Sequence, residues 1–379
     1  MKPKLLPRYY QDLNRWLKPN KVLLIHGPRQ VGKTTLVKNF LKTTKLNYRF
    51  DSGDSTQVQT ILSSTNFEKI RQYIGHYQLI VIDEAQRVPN IGLGLKIIID
   101  QIPGIRVIAT GSSSFELAGQ VGEPLTGRKK TLILYPLSLL ELSQLYSPWK
   151  LKQKLADWLI FGGYPEVVKS QLREEKIEIL RELVDSYLLK DILMFERVKA
   201  NQKLTQLLRL LAFQIGSLVS LSELGQQLGL NYKTVARYLG LLRKSFIVFP
   251  LYGFYRNLRK AISKKNKYYF YDLGVRNALI ANFNSPELRN DLGQLWENFI
   301  IVERIKKQAY RQIYSNNYFW HTWDGQEIDW IEEREGKLSG YEIKWQPRKR
   351  VKPPRDWLKT YDNASWKLIA QENFLEFIR

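Results

Sequence analysis

A glycine-rich turn between a buried strand and a helix constrains the fold of this chain more than any other feature of its sequence. The turn spans residues 27–35 and reads GPRQVGKTT. An apolar run suited to a buried strand, KVLLI, precedes it, and apolar residues at helical spacing follow it. Gly27 and Gly32 permit a tight loop whose backbone N–H groups point inward, towards an anion. The pattern therefore predicts an α/β domain with this loop at the end of a strand.

The order of residues in this turn, G-x-x-x-x-G-K-S/T, is that of a P-loop, which predicts ATP and Mg²⁺ as cofactors. Lys33 can reach the β- and γ-phosphates, and the Thr34 hydroxyl can hold Mg²⁺. The alternative is a plain glycine turn capped by a lysine, which the flanking strand and helix disfavour. The nucleotide-binding residues predicted in the loop are Gly27, Pro28, Arg29, Gln30, Val31, Gly32, Lys33, Thr34 and Thr35.

The charge balance narrows the classes of partner. The 379 residues include 59 Lys and Arg against 36 Asp and Glu, which gives a net charge of +23. Such an excess predicts a polyanionic partner, most often nucleic acid, and DNA is the partner expected here. A solvated basic surface and contact with an anionic membrane are the alternatives.

Length and composition limit the remaining classes. The chain is long enough for two or three domains. It contains no cysteine, which excludes disulfides and cysteine-based zinc sites, and its three histidines lie far apart in the sequence. No apolar run approaches the roughly 18 residues of a membrane span, and the amino terminus is polar rather than a signal peptide. These features favour a cytoplasmic protein without a membrane span.

Two acids follow a second apolar run. They suit ATP hydrolysis, which needs a carboxylate near Mg²⁺ and a group that orients the attacking water. Residues 79–82 read LIVI, which is typical of a central buried strand. Asp83 would emerge at the carboxyl end of this strand, beside the P-loop, and bind Mg²⁺ through water, while Glu84 would polarise the lytic water. The alternative is a strand that ends in two solvated acids.

A third apolar run, IRVIAT, predicts another buried strand, and polar residues lie at its end. Thr110 or Ser112 would hydrogen-bond the γ-phosphate or the attacking water, and the sequence does not choose between them. Arg128 follows a glycine turn and precedes a further strand. It would contact the γ-phosphate in cis, or in trans from a neighbouring subunit of a homo-oligomer as an arginine finger. A simple surface arginine is the alternative.

Residues 221–251 read as helix, short turn and helix, the spacing of a helix-turn-helix whose second helix enters the major groove of DNA. After it, residues 251–267 hold six basic side chains, no acid and interleaved aromatics, which suits a wing hairpin on a nucleic-acid backbone. The alternative is a winged helix that serves as a rigid docking module for a protein partner. The residues predicted to bind DNA are Lys233, Arg237, Arg256, Lys264, Lys265 and Lys267.

The last third of the chain carries a second group of acids. Glu297 lies on a predicted amphipathic helix and Asp329 on the second strand of a predicted hairpin, while Glu342 and Lys344 share one face of a third strand. Hard cations take oxygen ligands, so the three acids would hold a metal ion that cleaves a phosphodiester. Lys344 would activate the water or stabilise the charge that develops at phosphorus. The alternative is a same-face ion pair of Glu342 with Lys344.

Six short motifs resemble, in their order along the chain, those of bacterial and archaeal AAA+-type ATPases that carry a C-terminal DUF4143 domain. They are GPRQVGKTT, IDEAQ, TGSSS, LTGR, YPLSLLEL and FGGYPEVV. The resemblance implies an additional-strand P-loop core followed by a helical lid. The acids and lysine of the last third likewise resemble the PD-(D/E)xK nuclease core, although the usual proline does not precede Asp329.

The predicted fold is α/β, with four regions. They are a P-loop NTPase core over residues 1–140, a helical lid over 141–205, a winged helix-turn-helix over 206–265 and a restriction-endonuclease-like α/β domain over 266–379. The predicted function is Mg-dependent ATP hydrolysis that couples nucleotide state to DNA binding, with metal-dependent DNA cleavage as a further activity. The main alternative is a signalling ATPase that binds a protein partner and keeps an inactive nuclease-like scaffold. A chaperone-like ATPase at a membrane surface is the third.

Overall fold

The chain forms two compact units. The first runs to Tyr135 and also takes in Lys244–Phe246, and the second holds the remaining described residues. The computed structural model describes residues 5–112, 124–188, 201–254, 265–347 and 351–379.

Five parallel strands form the sheet of the first unit. They are β1 (Lys21–His26), β2 (Tyr48–Ser52), β3 (Leu79–Asp83), β4 (Arg106–Gly111) and β5 (Lys129–Ile133). Their order across the sheet is β2-β3-β4-β1-β5, and every pairing is parallel. Strand β4 thus lies between the strand before the P-loop and the strand that ends in Asp83. This is the additional-strand arrangement that the resemblance implies.

The core of the first unit explains why its sheet is parallel and buried. Strand β3 reads LIVID, and all of its residues are buried between two parallel neighbours. Ile80, Val107 and Leu95 belong to one hydrophobic cluster and have no exposed surface.

The α-helices of this unit are α1 (Lys33–Leu41), α2 (Thr56–Ser63), α3 (Phe67–Ile74) and α4 (Ile91–Gln101), and 3-10 turns lie at Leu13–Arg15 and Ala85–Arg87.

The second unit begins with helices. These are α5 (Leu139–Leu142), α6 (Pro148–Gln153), α7 (Leu155–Phe161), α8 (Pro165–Lys169), α9 (Arg173–Glu182), a π-helical turn (Leu183–Leu188), α10 (Asn201–Phe213), α11 (Leu221–Leu228) and α12 (Tyr232–Lys244). A tight turn separates α11 from α12, because Gly229 ends α11 in the left-handed region and the Asn231 side chain accepts from the Thr234 N–H. The later helices are α13 (Leu273–Leu279), a 3-10 turn (Pro286–Leu288), α14 (Leu292–Arg311), α15 (Arg355–Thr360) and α16 (Phe374–Ile378).

A mixed seven-stranded sheet belongs to the second unit. Its strands are β6 (Leu218–Val219), β7 (Val248–Gly253), β8 (Asn266–Phe270), β9 (Asn316–His321), β10 (Glu327–Arg334), β11 (Lys337–Ile343) and β12 (Ala364–Ile369). Their order is β12-β11-β10-β9-β7-β8-β6. The pairs β7–β8, β9–β10 and β10–β11 are antiparallel, while β7–β9 and β11–β12 are parallel. Strands before and after residue 265, the predicted boundary between the winged helix and the nuclease-like domain, therefore belong to one sheet. Helix α14 packs against both β8 and β11.

Candidate nucleotide site and a second acidic cluster

The P-loop connects the end of β1 to the start of α1. Gly27 has a φ of +149°, and a Cβ built there would lie 2.1 Å from the carbonyl oxygen of Leu134. Gly32, which precedes the first residue of α1, has a φ of +91°. Both positions therefore require glycine, the first for space and backbone conformation and the second for conformation alone. The first turn of an α-helix has backbone N–H groups without partners inside the helix, so the start of α1 after this loop suits an anion.

Lys33 lies inside this loop. Its side chain is buried, and its Nζ donates to the carbonyl oxygens of Gly27 at 3.1 Å and Pro28 at 2.8 Å. The ammonium group thus lies within the turn that the phosphates of a nucleotide would enter. Of the other predicted loop residues, Pro28 and Val31 are buried, Arg29 is half-buried, and Gln30 and Thr35 are exposed.

Asp83, at the end of β3, contacts both the P-loop side of the site and strand β4. The Thr34 hydroxyl donates to both carboxylate oxygens of Asp83, at 3.0 and 2.9 Å. The Thr110 hydroxyl donates to Asp83 Oδ1 at 2.5 Å. Because β4 lies beside β3 in the sheet, the end of β4 brings Thr110 to this carboxylate. The three side chains therefore meet at the carboxyl edge of the sheet, where ligands bind in open parallel sheets.

Glu84 is held in a strained conformation next to Asp83. Its φ and ψ of 50° and 43° are in the left-handed region, which is uncommon for a residue other than glycine and occurs often at functional sites. The Glu84 N–H donates to the Thr110 hydroxyl at 3.1 Å. Gln86 Nε2 donates to Glu84 Oε2 and, at 3.2 Å, to the Ser112 hydroxyl. Thr110 and Ser112 therefore both belong to this hydrogen-bond network. Thr110 contacts Asp83 and the Glu84 N–H, whereas Ser112 contacts Gln86.

Gln86 is a site residue that sequence reasoning missed. It orients the Glu84 carboxylate from two positions further along the chain. The signal that could have found it is the final glutamine of the IDEAQ motif, which directly follows the two acids and one alanine.

These residues fit ATP and Mg²⁺. The loop that only glycine can form supplies an anion cradle, and Lys33 supplies a cation within it. Thr34 and Asp83 supply a hydroxyl and a carboxylate, the oxygen donors that Mg²⁺ takes in P-loop proteins.

Arg128 does not lie at the P-loop of its own chain. Its carbonyl oxygen accepts from the Val22 N–H at 2.9 Å, which places it beside the amino end of β1. The P-loop follows the carboxyl end of that strand, about 16 Å away at 3.3 Å per residue. The Arg128 Nε donates instead to Asp100 at 2.8 Å. The predicted contact in cis with a γ-phosphate is therefore wrong, because the strand separates the two ends of the sheet.

The second acidic cluster lies in the other unit. Lys344 Nζ is 2.6 Å from Glu342 Oε1 and 3.7 Å from Asp329 Oδ2. The N–H of Ile343 donates to Asp329 Oδ2 at 2.8 Å. Burial raises the pKa of Asp329 well above its ordinary value, and the nearby Glu297 and Glu342 raise it further. Sequence alternation thus predicted correctly that Glu342 and Lys344 share a face, and the structure pairs them.

Lys267 occupies the other side of this cluster. Its Nζ is 2.5 Å from Glu327 Oε1, 3.4 Å from Glu297 Oε1 and 3.9 Å from Asp329 Oδ1. Tyr269, two residues along β8, donates to Glu297 Oε1. Glu327 is a further member that sequence reasoning missed, although its spacing of two from Asp329 on one strand places both on the same face.

The prediction that Lys267 binds DNA is wrong. Its side chain is buried, with 4% exposed, and it is paired with carboxylates inside the unit, so it cannot reach a phosphate backbone. Lys233, Arg237 and Lys265 are exposed. Arg256 and Lys264 lie outside the described residues.

The metal ligands predicted in this cluster, Glu297, Asp329 and Glu342, do not fit a metal ion in this arrangement. In the described residues, no group of three or more His, Asp or Glu side chains could hold one. The reason is visible in the distances. The ammonium of Lys267 lies between Glu297 and Asp329, and the ammonium of Lys344 lies between Asp329 and Glu342.

Family comparisons divide the chain in three. Residues 19–143 match the AAA domain and residues 292–372 match DUF4143, a domain of unknown function. Residues 152–286 match a further domain of unknown function, DUF8612. The AAA and DUF4143 matches confirm the two domains that the six motifs implied.

Three relatives are uncharacterized proteins that align over most of this chain. An uncharacterized protein of Mycobacterium tuberculosis is 28% identical over 336 residues, which cover 88% of this chain and 72% of that protein. An uncharacterized protein of Haemophilus influenzae is 24% identical over 384 residues, which cover 96% and 92%. An uncharacterized protein of Methanocaldococcus jannaschii is 24% identical over 389 residues, which cover 95% and 84%.

Solved structures give weaker likenesses. A signal transduction ATPase with numerous domains and a tetratricopeptide repeat sensor, from Pyrococcus horikoshii, is 13% identical, with a TM-score of 0.28 over 81% of this chain and 46% of its own. A Pif1 helicase from Bacteroides is 14% identical, with a TM-score of 0.26 over 49% of this chain and 51% of its own. The chain thus spans about half the length of these structures. Among the described residues, no helix is both long and apolar enough to cross a membrane.

Proposed function

We propose that this protein binds and hydrolyses ATP at the P-loop of its first unit. The observation that carries the proposal is the hydrogen-bonded group of Thr34, Asp83, Thr110 and Glu84 at the carboxyl edge of the sheet. It combines a hydroxyl for a metal, a carboxylate for the same metal and a second carboxylate for water, beside an anion cradle. The match of residues 19–143 to the AAA domain supports it.

Each residue has a distinct role in the proposed reaction. Lys33 would leave the carbonyl oxygens that it now contacts and bind the β- and γ-phosphates. Thr34 and Asp83 would hold Mg²⁺, which neutralises the charge that develops on the phosphates. Glu84 would orient and polarise the attacking water, and Thr110 would fix both acids through the two hydrogen bonds that it makes. Gln86 would hold the Glu84 carboxylate in place.

A comparison of two variants of α1 tests the nucleotide site. Lys33→Ala removes the cation in the loop, whereas Lys38→Ala removes an exposed lysine from the same helix. We expect the Lys33 variant to lose binding of a fluorescent ATP analogue and release of phosphate, and the Lys38 variant to keep both. Equal binding and turnover in the two variants would exclude the P-loop as the site.

We further propose that the second unit binds DNA through helix α12 in response to the nucleotide state. The capped turn between α11 and α12 holds the two helices in a helix-turn-helix sequence, and Lys233 and Arg237 are exposed on α12. The net charge of +23 supports a polyanionic partner. Metal-dependent cleavage is not part of the proposal, because the acidic cluster does not fit a metal.

Salt dependence tests the DNA interface. For each phosphate that a basic side chain no longer neutralises, the slope of log affinity against log salt should become shallower by about 0.9 on duplex DNA. We therefore expect Lys233→Glu with Arg237→Glu to flatten that slope by about 1.8. The control is Lys69→Glu with Arg71→Glu, which changes the net charge equally on the exposed face of α3. The measurement is made with and without ATP, in the slowly hydrolysing Glu84→Gln background.

The second candidate function is a signalling ATPase that binds a protein partner. The observation that favours it is the closed, ion-paired state of the acidic cluster, which suits a scaffold rather than a nuclease. DNA affinity that does not change with salt, or that falls equally in both pairs of variants, would favour this candidate over DNA binding.

A further inference from the structure

Lys267 is the unusual member of the acidic cluster. A lysine is almost never fully buried unless it is paired, and this side chain is 4% exposed. Its ammonium lies within 4 Å of carboxylate oxygens from Glu327 and Asp329 on β10 and from Glu297 on α14. Three carboxylates from two structural elements therefore converge on one amine. This is the environment that a cation-binding site offers, with the amine in the position of the cation.

The Lys267 amine is protonated at neutral pH. Burial alone would lower the pKa of Lys267, but Glu297, Asp329 and Glu327 outweigh it and raise the pKa above its ordinary value. The pKa of Lys344 is raised in the same way, by Asp329 and Glu342 against burial. Both side chains therefore carry a full positive charge at neutral pH. Two ammonium groups thus face four carboxylates in this cluster.

One carboxylate oxygen in the cluster remains unused. In the described part of the chain, Glu342 Oε2 is buried and has no hydrogen-bond partner, although Oε1 of the same group contacts Lys344. A buried carboxylate oxygen without a partner is costly, because it has lost its water without a replacement. The cluster thus retains an oxygen ligand that a metal would use, while its other ligands contact amines.

We propose that the Lys267 ammonium is the resident cation of this cluster and keeps divalent metal ions out of it. The amine takes the carboxylates of Glu297, Glu327 and Asp329 that a metal would need, and it repels a second cation at the same point. The Lys267 side chain therefore occupies the place that a metal ion would take among these acids, which are arranged as in a nuclease. The acids are present, yet the native protein holds no metal on them.

Manganese binding to nucleotide-free protein tests this proposal. Mn²⁺ is titrated into wild type, Lys267→Met, Lys267→Arg and the double variant Lys267→Met with Asp329→Asn, and bound metal is followed by electron paramagnetic resonance. We expect Lys267→Met to bind Mn²⁺ about 100-fold more tightly than wild type, since the variant removes a positive charge that lies 3.9 Å from the Asp329 carboxylate. Lys267→Arg should behave as wild type because it keeps the charge, and the double variant should lose the new site.

Two results would overturn the proposal. One is wild-type binding of Mn²⁺ that Asp329→Asn abolishes, which would show an open metal site in the native protein. This arm does not depend on the folding of any Lys267 variant. The other is a folded Lys267→Met protein, verified by circular dichroism and a cooperative melt, that binds Mn²⁺ no better than wild type. Neither result would bear on ATP binding, because the P-loop residues are unchanged in every variant.

Discussion

The two acid sites of this chain differ in the groups that contact their central aspartates. At the P-loop, neutral hydroxyls from Thr34 and Thr110 donate to Asp83. In the second cluster, the ammonium groups of Lys267 and Lys344 lie near Asp329. A hydroxyl leaves the negative charge of a carboxylate available to a cation, whereas an ammonium group neutralises it. The same residue type at a strand thus contacts neutral donors in one unit and cations in the other.

The largest effect expected from this difference concerns ATP turnover. Glu84→Gln should keep nucleotide binding but slow hydrolysis by roughly 2 to 4 orders of magnitude, because the group that orients and polarises water is removed. Asp329→Asn makes the same acid-to-amide change in the other site and should leave turnover of ATP without DNA unaltered. Steady-state phosphate release measures both. Equal turnover in wild type and Glu84→Gln would refute the role of Glu84.

An intermediate effect should separate Thr110 from Ser112. Thr110→Val keeps the shape of the side chain but removes its bonds to Asp83 and to the Glu84 N–H. Loss of a group that orients a metal ligand typically costs about 10- to 100-fold in metal affinity or activity. Ser112 accepts from Gln86, which in turn contacts Glu84, so Ser112→Ala should cost less.

The measurement is the Mg²⁺ dependence of ATP hydrolysis in the two variants. A shift to higher Mg²⁺ in Thr110→Val, absent in Ser112→Ala, is the expected result. A larger loss in Ser112→Ala than in Thr110→Val would reverse the assignment of the two hydroxyls.

The smallest effect is expected at Arg128. Its ion pair with Asp100 is at the surface, with 44% and 32% of the two side chains exposed, and such pairs contribute about 0 to 1 kcal/mol. Arg128→Ala should therefore lower the unfolding free energy by less than about 1 kcal/mol and leave turnover of dilute protein unchanged. Chemical denaturation and phosphate release are the measurements. A loss of turnover that grows with protein concentration would instead support the arginine finger in trans.

Local sequence determined the P-loop site to a large degree. The loop conformation follows from Gly27 and Gly32, and the place of Asp83 follows from an apolar run that must end at the carboxyl edge of a sheet. These features depend on residues close together in the chain, where backbone sterics and strand period act directly. The hairpin of β9 and β10 and the shared face of Glu342 and Lys344 were accessible for the same reason.

Tertiary structure decided which distant groups meet. The insertion of β4 between β1 and β3 brings Thr110 to Asp83, and the parallel register of β5 places Arg128 at the far end of the sheet. Lys267 belongs to a basic run that suggests an exposed surface, yet the pairing of β8 with β7 and the packing of α14 bury it among acids. Strand order and helix packing depend on contacts between residues far apart in the chain. For that reason the sequence identified most of the acids, and only the fold showed which hydroxyl or ammonium group each of them faces.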